Sequence, residues 1–315
     1  MPLYSKYISQ CAKLVSTICY FMISRNLRLY RGFSMLISRI MLAFGIHEFA
    51  NTINNVHMSF LSTDTWALRK FYRYKARYDE KEIRALTVFV RDKSVFWDIG
   101  ANYGIYTLSM LKFFGKDNRV VLFEPLPQVF KILKKNLEAN SAYEACNIYP
   151  INCALGTKTG TDYLYLSSLG TADSRLYEPT DNLLLNQGQN RQKIQVSVDQ
   201  LDNTALTLFG NYPTDNIVKI DVQGKELDVL KGAESLISKS ERTVVFLEFW
   251  PHGLKQNGVD PKQLLSFFQQ RGFSIKGNTD KTITSYDELE GYIASHEEGL
   301  KSTNLFFLQN VGRNL

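Results

Sequence analysis

Two carboxylates follow apolar runs of the sequence that are separated by one helical segment. Asp98 lies in the run Val95–Ile99 (VFWDI), and Glu124 follows Val120–Phe123 (VVLF) 26 residues later. The carboxyl ends of neighbouring parallel strands meet at one edge of a sheet, where open α/β folds bind their ligands. A carboxylate there can anchor a cationic ligand or accept hydrogen bonds from both hydroxyls of a ribose. The pair therefore indicates a nucleoside-type ligand that carries positive charge.

A turn with few glycines lies between the two acids, Gly100-Ala101-Asn102-Tyr103-Gly104. Glycine lets a backbone approach a ligand without an intervening Cβ. The dinucleotide fingerprint GxGxxG has glycines at offsets 0, 2 and 5, whereas only offsets 0 and 4 from Gly100 are glycine here. The turn, with Asp98 beside it, favours S-adenosylmethionine (SAM), which carries a sulfonium and an ammonium, over NAD. Taken alone, Asp98 is equally a helix N-cap and Glu124-Pro125 equally a turn.

Three further side chains are candidates for catalysis if the group that SAM methylates is a hydroxyl. An alcohol oxygen is a weak nucleophile, so a general base or a metal has to assist it. Asp221 and Glu248 end two further apolar runs, and His252 follows closely. Asp221 is the first choice for orienting the acceptor or accepting its proton. His252 has a suitable pKa but equally fits a surface histidine after Pro251.

Two further interpretations of these acids stay secondary. Glu226 lies five residues after Asp221 at a predicted helix start, where a favourable interaction with the helix N-terminus is the simpler role. Asp221 and Glu248 offer oxygen ligands suited to Mg²⁺, but nothing in the sequence requires a metal, and we predict none.

The elements that position these residues alternate between strands and helices. Short apolar runs indicate buried parallel strands at Val95–Ile99, Val120–Phe123, Ile217–Val222 and Thr243–Glu248, with a last edge strand at Asn304–Gln309. Helices are predicted at Tyr78–Val90, Gly104–Phe114 and Pro127–Asn140. This alternation predicts an α/β fold with right-handed crossovers. The polar stretch Ser167–Lys193 is long for a loop and is predicted to be a lid or an acceptor-binding segment.

The N-terminal part differs in charge from the rest of the chain. Residues 1–80 contain eleven Lys or Arg and four Asp or Glu, and residues 1–47 contain no acid. The rest is close to neutral, so no nucleic-acid partner is expected. The run Leu14–Ile23 is too short to span a bilayer and lacks a clear signal-peptide cleavage site. Residues 26–45 fit a helix packed on the core or a basic amphipathic helix on an anionic membrane.

The four cysteines, Cys11, Cys19, Cys146 and Cys153, form neither a CxxC pair nor a zinc-binding pattern. A reducing, cytoplasmic compartment is therefore expected, with membrane association through residues 1–47 left open.

Five motifs carry a resemblance to a known family. They are DIGANYGIYT (Asp98–Thr107), FEPLPQVFKILKKNLEAN (Phe123–Asn140), VSVDQL (Val196–Leu201), VKIDVQGKELDVLKGA (Val218–Ala233) and LEFWP (Leu247–Pro251). With these, the chain resembles the FkbM family of SAM-dependent O-methyltransferases between residues 95 and 273. The match is loose at Leu126, where the family more often has a polar residue, and at VSVDQL.

The resemblance implies a Rossmann-like class I methyltransferase with a mostly parallel seven-stranded sheet and helices on both faces. A methyltransferase domain over residues 81–315 is then preceded by a helical extension over residues 1–80. The acceptor is expected to be a hydroxyl of a sugar, glycan or related metabolite. The cofactor-binding residues expected from the motifs and the resemblance are Asp98, Gly100, Ala101, Asn102, Gly104, Glu124, Pro125 and, beside the adenine, Ala154.

Three alternatives remain at this point. An NAD-dependent sugar oxidoreductase would share the fold and the ribose-binding acid, but it would need the denser glycine turn. A nucleic-acid methyltransferase of the amino-methylating kind would carry an Asn/Asp-Pro-Pro-aromatic turn where this chain has Asp221-Val222-Gln223-Gly224. A non-enzymatic scaffold on a membrane surface would use only the basic N-terminus.

Overall fold

The computed structural model describes residues 27–68, 77–167, 170–178, 191–277, 285–295 and 302–310. The run Leu14–Ile23, Cys11 and Cys19 lie outside these ranges, as does much of the predicted lid. No helix in the described part of the chain combines the length and apolar character needed to traverse a lipid bilayer.

The chain alternates between strands and helices from residue 80 onward. The strands are β1 (Glu48–Ile53), β2 (Val56–Leu61), β3 (Val95–Ile99), β4 (Arg119–Phe123), β5 (Asn147–Ile151), β6 (Ala154–Leu155), β7 (Gly160–Tyr165), β8 (Lys193–Asp199), β9 (Asp215–Ile220), β10 (Arg242–Phe249), β11 (Ser274–Gly277) and β12 (Thr303–Gln309). The helices are α1 (Leu27–Ala43), α2 (Glu80–Thr87), α3 (Ile105–Met110), α4 (Pro127–Ala139), α5 (Ala142–Ala145), α6 (Leu201–Phe209), α7 (Glu226–Lys231), α8 (Glu234–Lys239), α9 (Pro251–Gln256), α10 (Pro261–Gln270) and α11 (Tyr286–Ser295).

A seven-stranded sheet forms the centre of the molecule, in the order β11-β12-β10-β9-β3-β4-β5. The five strands from β10 to β5 in this order are parallel, and β12 runs antiparallel to both of its neighbours. The order reverses between β3 and β9, so the carboxyl ends of these strands border a crevice, the usual ligand position in this architecture. The predicted mostly parallel α/β sheet is confirmed.

Both faces of the sheet are covered because its central strands are apolar throughout. Within β3, Val95, Trp97 and Ile99 pack in a cluster with residues of α6 to α10, whereas Phe96 packs in a second cluster with residues of α2 to α4. All five residues of β3 are buried, as expected for a parallel strand between two helical layers.

The N-terminal segment, expected to be helical, is helical only in part. Helix α1 falls within the predicted residues 26–45, but Glu48–Leu61 form the antiparallel hairpin β1–β2. The hairpin turn is Asn54-Asn55, with φ of 51° and 65°, a pair of left-handed residues typical of tight hairpin turns. Phe49, Met58 and Phe60 of the hairpin are buried in the same cluster as α3 and α4. The alternation of apolar and polar residues over 56–60 is the sequence pattern that indicates the strand β2.

Two strand predictions need correction. Asn304–Gln309 corresponds to β12 but is not an edge strand, because the short β11 pairs with it and takes the edge. A separate three-stranded sheet, in the order β6-β8-β7, was not predicted. It carries the described residues 170–178 towards the carboxyl edge of the main sheet, through an antiparallel bridge between Tyr165 and Arg175.

Candidate active site

A cavity opens at the carboxyl edge of the main sheet, beside the point where the strand order reverses. It encloses about 980 Å³ with its open mouth included, within the usual range for small-ligand sites. Six of the eight predicted cofactor-binding residues lie on its wall, namely Gly100, Ala101, Asn102, Glu124, Pro125 and Ala154. The two that do not are Asp98 and Gly104.

The turn after β3 brings backbone close to this cavity. Gly100 has φ 75°, and a Cβ on it would overlap the backbone oxygen of Asp221 at the end of β9. The amides of Gly100 and Ala101 both donate to the carbonyl of Phe123 (3.1 and 2.9 Å). The turn is therefore held between the ends of β4 and β9, and only glycine fits at its first position.

Gly104 lies behind the cavity wall. Its φ is 86°, it is the residue before helix α3, and a Cβ on it would meet Leu133 of α4. It therefore permits close packing of the turn on α4 and has no place on the wall itself.

Glu124 presents its carboxylate to the cavity from the end of β4. One oxygen accepts a hydrogen bond from the Asn102 amide (3.0 Å), and the other accepts one from the Leu126 amide (2.8 Å). Burial raises the pKa of Glu124 to about 7, and the bonds from Leu126 and Asn102 act in the opposite direction. Each oxygen retains acceptor capacity, so the carboxylate can take two hydroxyl donors at once.

Asp98 is fully buried behind the wall, where it pairs with a lysine that the sequence analysis missed. Thr107 Oγ1 donates to Asp98 Oδ2 (2.8 Å), and Lys219 Nζ lies 3.1 Å from Asp98 Oδ1. Burial alone would lower the pKa of Lys219, but the charges of Asp98 and Asp221 raise it above its usual value. The expectation that Asp98 directly faces a cationic ligand is not supported by this position.

Lys219 itself lies on the cavity wall and donates to the carbonyl of Gly100 (2.8 Å). The wall therefore carries the positive end of the buried Asp98–Lys219 pair. A lysine inside the apolar segment Ile217–Ile220 of β9 was the available sequence signal, because an unpaired buried lysine is very costly.

The far end of the cavity is apolar. Cys153, Ala154 and Leu155 follow β5 and line it, together with Phe123 and Leu126. Burial raises the pKa of Cys153 to about 12, so its thiol stays protonated and packs as a small apolar group. Such a surface suits the flat face of a purine.

A second cavity adjoins the first and shares seven of its wall residues, Lys219, Asp221, Trp66, Tyr78, Tyr106, Ala172 and Gln223. Its wall also includes three carboxylates and a second tryptophan: Asp79, Asp173, Glu248 and Trp250. We call this the acid-lined cavity. It combines hydrogen-bond acceptors with aromatic faces directly beside the first cavity.

The structure brings Asp221 and Glu248 together through Gln223. The Gln223 side-chain amide donates to Asp221 Oδ1 (2.8 Å) and to Glu248 Oε2 (2.9 Å), while Ser302 Oγ donates to Glu248 Oε1 (2.5 Å). Burial, and then the charge of Asp221, raise the pKa of Glu248 to about 7. Glu248 can therefore exchange a proton near neutral pH.

His252 is not brought to either cavity. Pro251 starts helix α9, and the His252 ring packs 5.8 Å from the ring of Trp250. Its expected place among the catalytic residues is thus not supported by the geometry. Glu226 begins helix α7, accepts a hydrogen bond from the Gly224 amide (3.0 Å) and also lies off both walls.

Three further wall residues were not predicted as site residues, and they lie before the segment that resembles the family. Trp66, Tyr78 and Asp79 belong to the segment expected to be a separate extension, yet they line the acid-lined cavity. Asp64, just before them, accepts hydrogen bonds from Tyr103 Oη (2.8 Å) and Thr171 Oγ1 (2.6 Å). Asp64 of the N-terminal segment is therefore hydrogen-bonded both to the turn that follows β3 and to residues 170–178.

Among the described residues, no group of three or more His, Cys, Asp or Glu side chains is arranged to hold a metal ion.

Comparisons with known proteins agree with the motifs. The model of the methyltransferase FkbM domain matches residues 98–275. The hexuronic acid methyltransferase AglP of Haloferax volcanii is 24% identical over 225 residues, covering 71% of this chain and 78% of the relative. The methyltransferase sdnD of Sordaria araneosa is 26% identical over 198 residues, covering 56% of this chain and 73% of the relative.

Among solved structures, an O-methyltransferase from Bacillus cereus in complex with SAH is 11% identical, with a TM-score of 0.40, over 74% of this chain and 82% of that one. The domain match covers more than half of the chain and contains the turn, the Glu124 strand end and the Lys219–Asp221 strand end described above. The protein therefore belongs to the FkbM family of methyltransferases and is a SAM-dependent methyltransferase.

Proposed function

We propose that this methyltransferase transfers the methyl group of SAM to a hydroxyl of a sugar, a glycan or a related polyhydroxylated metabolite. The observation that carries the proposal is the acid-lined cavity, which shares seven wall residues with the first cavity and combines carboxylate acceptors with two tryptophans. Carboxylates accept hydrogen bonds from hydroxyls, and aromatic faces suit the apolar faces of sugar rings. The Haloferax volcanii relative, named as a hexuronic acid methyltransferase, supports a sugar acceptor.

The first cavity fits SAM by the chemistry of its donor set. Glu124 has the free acceptor capacity for both ribose hydroxyls, and the apolar wall at Cys153–Leu155 suits the adenine. Lys219 is the cation on the wall and suits the carboxylate of the methionine part. Gly100 lets the turn pack against Asp221, and the turn then presents Gly100, Ala101 and Asn102 on the cavity wall that this ligand would contact. Bound SAM supplies a methyl group that is activated by its sulfonium.

The residues of the acid-lined cavity orient and deprotonate the acceptor. Asp221 lies on the walls of both cavities, so it can hold the acceptor hydroxyl at their junction. Glu248, with a pKa near 7, takes the proton as the new bond between carbon and oxygen forms. Gln223 fixes the two carboxylates relative to each other and limits their movement. Positioning of this kind supplies much of the rate of an in-line displacement.

The carboxylates of the acid-lined cavity bear on whether the acceptor is a nucleic acid. Asp79, Asp173, Asp221 and Glu248 all contribute carboxylates to its wall, and a nucleic-acid phosphate backbone would be repelled there. A small hydroxyl-bearing acceptor without a phosphate backbone fits better. The family assignment leaves the NAD-dependent oxidoreductase without support.

A methyl-transfer assay tests this function. Protein is incubated with methyl-labelled SAM and a panel of neutral hexosides, hexuronides and nucleic acid, and label is measured in each product. We expect label in a hydroxyl-bearing sugar, with strong loss of turnover in Asp221→Asn and Glu248→Gln. The exposed Glu144→Gln is the matched control. Label in nucleic acid alone would refute the proposed acceptor class.

We also propose a peripheral contact of helix α1 with an anionic membrane surface. Ile37 and Met41 of this helix are buried on the core, whereas Leu36 and Ile40 of the helix and Phe44 just after its end are exposed apolar residues, with exposures of 52%, 43% and 64%. The absence of any acid in residues 1–47 complements an anionic lipid surface.

Co-sedimentation with phosphatidylcholine vesicles, with and without phosphatidylserine, tests the contact. The triple variant Leu36→Ser/Ile40→Ser/Phe44→Ser should lose binding to the anionic vesicles. A control triple variant at exposed apolar residues elsewhere, Val88, Phe113 and Leu206, should retain it. Equal sedimentation of both variants would remove the membrane contact.

A further inference from the structure

The tip of the hairpin β1–β2 holds the backbone of a residue on the active-site wall. The Tyr78 amide donates to Asn54 Oδ1 (2.8 Å), and Asn54 Nδ2 donates to the Tyr78 carbonyl (2.8 Å). Asn54 Nδ2 also donates to Ser109 Oγ at the end of α3 (3.1 Å). One side-chain amide thus satisfies both backbone polar groups of Tyr78 and ties them to the catalytic domain. We call these three hydrogen bonds the Asn54 clasp.

The clasp determines where the next residue, Asp79, points. Asp79 is the N-cap residue of helix α2 and has a left-handed backbone, with φ 46°. An N-cap aspartate ordinarily accepts a hydrogen bond from its own helix, but the Asp79 side chain makes no such bond. Its carboxylate accepts instead from Tyr106 Oη (3.0 Å) and lies on the wall of the acid-lined cavity. The unusual backbone therefore directs a carboxylate towards the acceptor.

Tyr78 occupies the junction of the two cavities. It lies on both walls, and its ring meets that of Trp66 edge-on at 6.0 Å. Burial, and then the charges of Asp79 and Asp221, raise its pKa well above the usual value, so the phenol remains a donor. The phenol also hydrogen-bonds the Asp79 side chain, so the two residues form one polar unit at this junction. A carboxylate accepts several hydrogen bonds at once, so this unit can also accept one from an acceptor hydroxyl.

We propose that the hairpin β1–β2 is an acceptor-positioning element of this enzyme: through the Asn54 clasp it fixes Tyr78 and Asp79, which bind the hydroxyl-bearing acceptor. The inference rests on the proposed function. It assigns Tyr78 and Asp79 to acceptor recognition and Asn54 to positioning, all before the first residue of the matched domain, Asp98. The predicted ribose and adenine contacts come from β4 and the residues after β5, so the clasp should affect the acceptor far more than the cofactor.

The test compares two glycine variants in the same turn. Asn54 and Asn55 both have positive φ, and glycine adopts that conformation without strain. Asn54→Gly removes the clasp, whereas Asn55→Gly removes an exposed side chain and serves as the matched control. Because a displacement of about 1 Å lowers turnover by about 100-fold in an oriented reaction, we expect Asn54→Gly to lose about 10- to 100-fold in kcat/KM for the acceptor. SAM affinity should stay within about twofold.

Two further measurements separate positioning from general destabilisation. Amide hydrogen exchange at Tyr78 should accelerate in Asn54→Gly and stay unchanged in Asn55→Gly, whatever the activity. Asp79→Asn keeps the clasp and changes a residue that lies on the wall of the acid-lined cavity alone, so it should raise the acceptor KM with little change in SAM affinity. Equal acceptor kinetics in the two glycine variants, or unchanged exchange at Tyr78, would overturn the inference. If the wild type binds SAM but methylates no hydroxyl acceptor, the proposed function fails, and the exchange measurement still decides whether the clasp exists.

Discussion

The pKa of Glu124 gives the proposed cofactor site a defined pH dependence. Burial places that pKa near 7 in the free enzyme, so about half of the molecules carry a protonated Glu124 at neutral pH. Two ribose hydroxyls donating to the carboxylate would favour its ionised form. Binding should therefore strengthen as pH rises through 7, because protonated Glu124 has lost acceptor capacity.

The size of the effect follows from the fraction of enzyme that is ionised. With a pKa of about 7, that fraction is about one in eleven at pH 6 and about ten in eleven at pH 8. The apparent affinity should thus rise about tenfold between these two values and level off above them. Glu124→Gln removes the titration. It should also weaken binding by about 1.5–3 kcal/mol, the range for a hydrogen bond to a charged group.

Calorimetric titration of S-adenosylhomocysteine between pH 6 and 8.5 measures this dependence. The ligand keeps the ribose and the α-amino group, whose own titration affects wild type and Glu124→Gln alike. The ratio of the two affinities therefore isolates Glu124. A ratio that stays constant across this range would refute the assignment of Glu124 to the ribose. Melting temperatures of both proteins serve as the folding control.

Three further outcomes are expected. Gly100→Ala should abolish SAM binding or folding because the new Cβ would overlap Asp221. Gly258→Ala has the same φ of 75° but open space around it, so it should lose only the stability that this backbone conformation costs an alanine. Thermal melts and SAM titration compare the two variants, and equal losses would contradict the close approach. Asp98→Asn should lower the free energy of unfolding, measured in urea, by about 3–5 kcal/mol, since Lys219 stays buried without its partner. The double variant Asp98→Asn/Lys219→Met should recover much of that loss. A double variant no more stable than the single one would argue against the pair. Burial raises the pKa of Glu226 to about 8, so the folded state holds this proton more tightly than the unfolded state. The free energy of unfolding should therefore fall by about 1.4 kcal/mol per pH unit between about pH 5 and 8. Glu226→Gln should flatten that pH dependence in denaturation curves taken across this range, and an unchanged slope would mean that other groups cause it.

The positions of the main strands could be predicted because burial on both faces leaves a continuous apolar run in the sequence. Val95–Ile99 matches β3 residue for residue, and Thr243–Glu248 falls inside β10. The number of strands in the sheet was expected from the family resemblance, whereas their order was visible only in the structure. Short elements escaped prediction: β11 has four residues and β6 has two, too few for a periodic pattern.

In the candidate site too, residues in local motifs could be predicted, whereas contacts between distant residues could not. Gly100, Asn102 and Glu124 could be identified because a strand end and a glycine turn are local features. Asp98 could be identified as important, but its partner could not, because Lys219 lies 121 positions away in sequence and meets it only across the β3–β9 pairing. The role expected of His252 depended on a spatial position that Pro251 and helix α9 do not provide.

The sequence by itself determined the α/β class, the methyltransferase family and the residues of the β3 and β4 strand ends, because each is written in a short contiguous segment. Only the tertiary structure decided which side chains line the two cavities. Trp66, Tyr78 and Asp79 reach the cavity because a hairpin packs on α4 and Asn54 binds the Tyr78 backbone. Such contacts join residues that are distant in the chain, and their free energy comes from packing and burial, which a linear pattern does not encode.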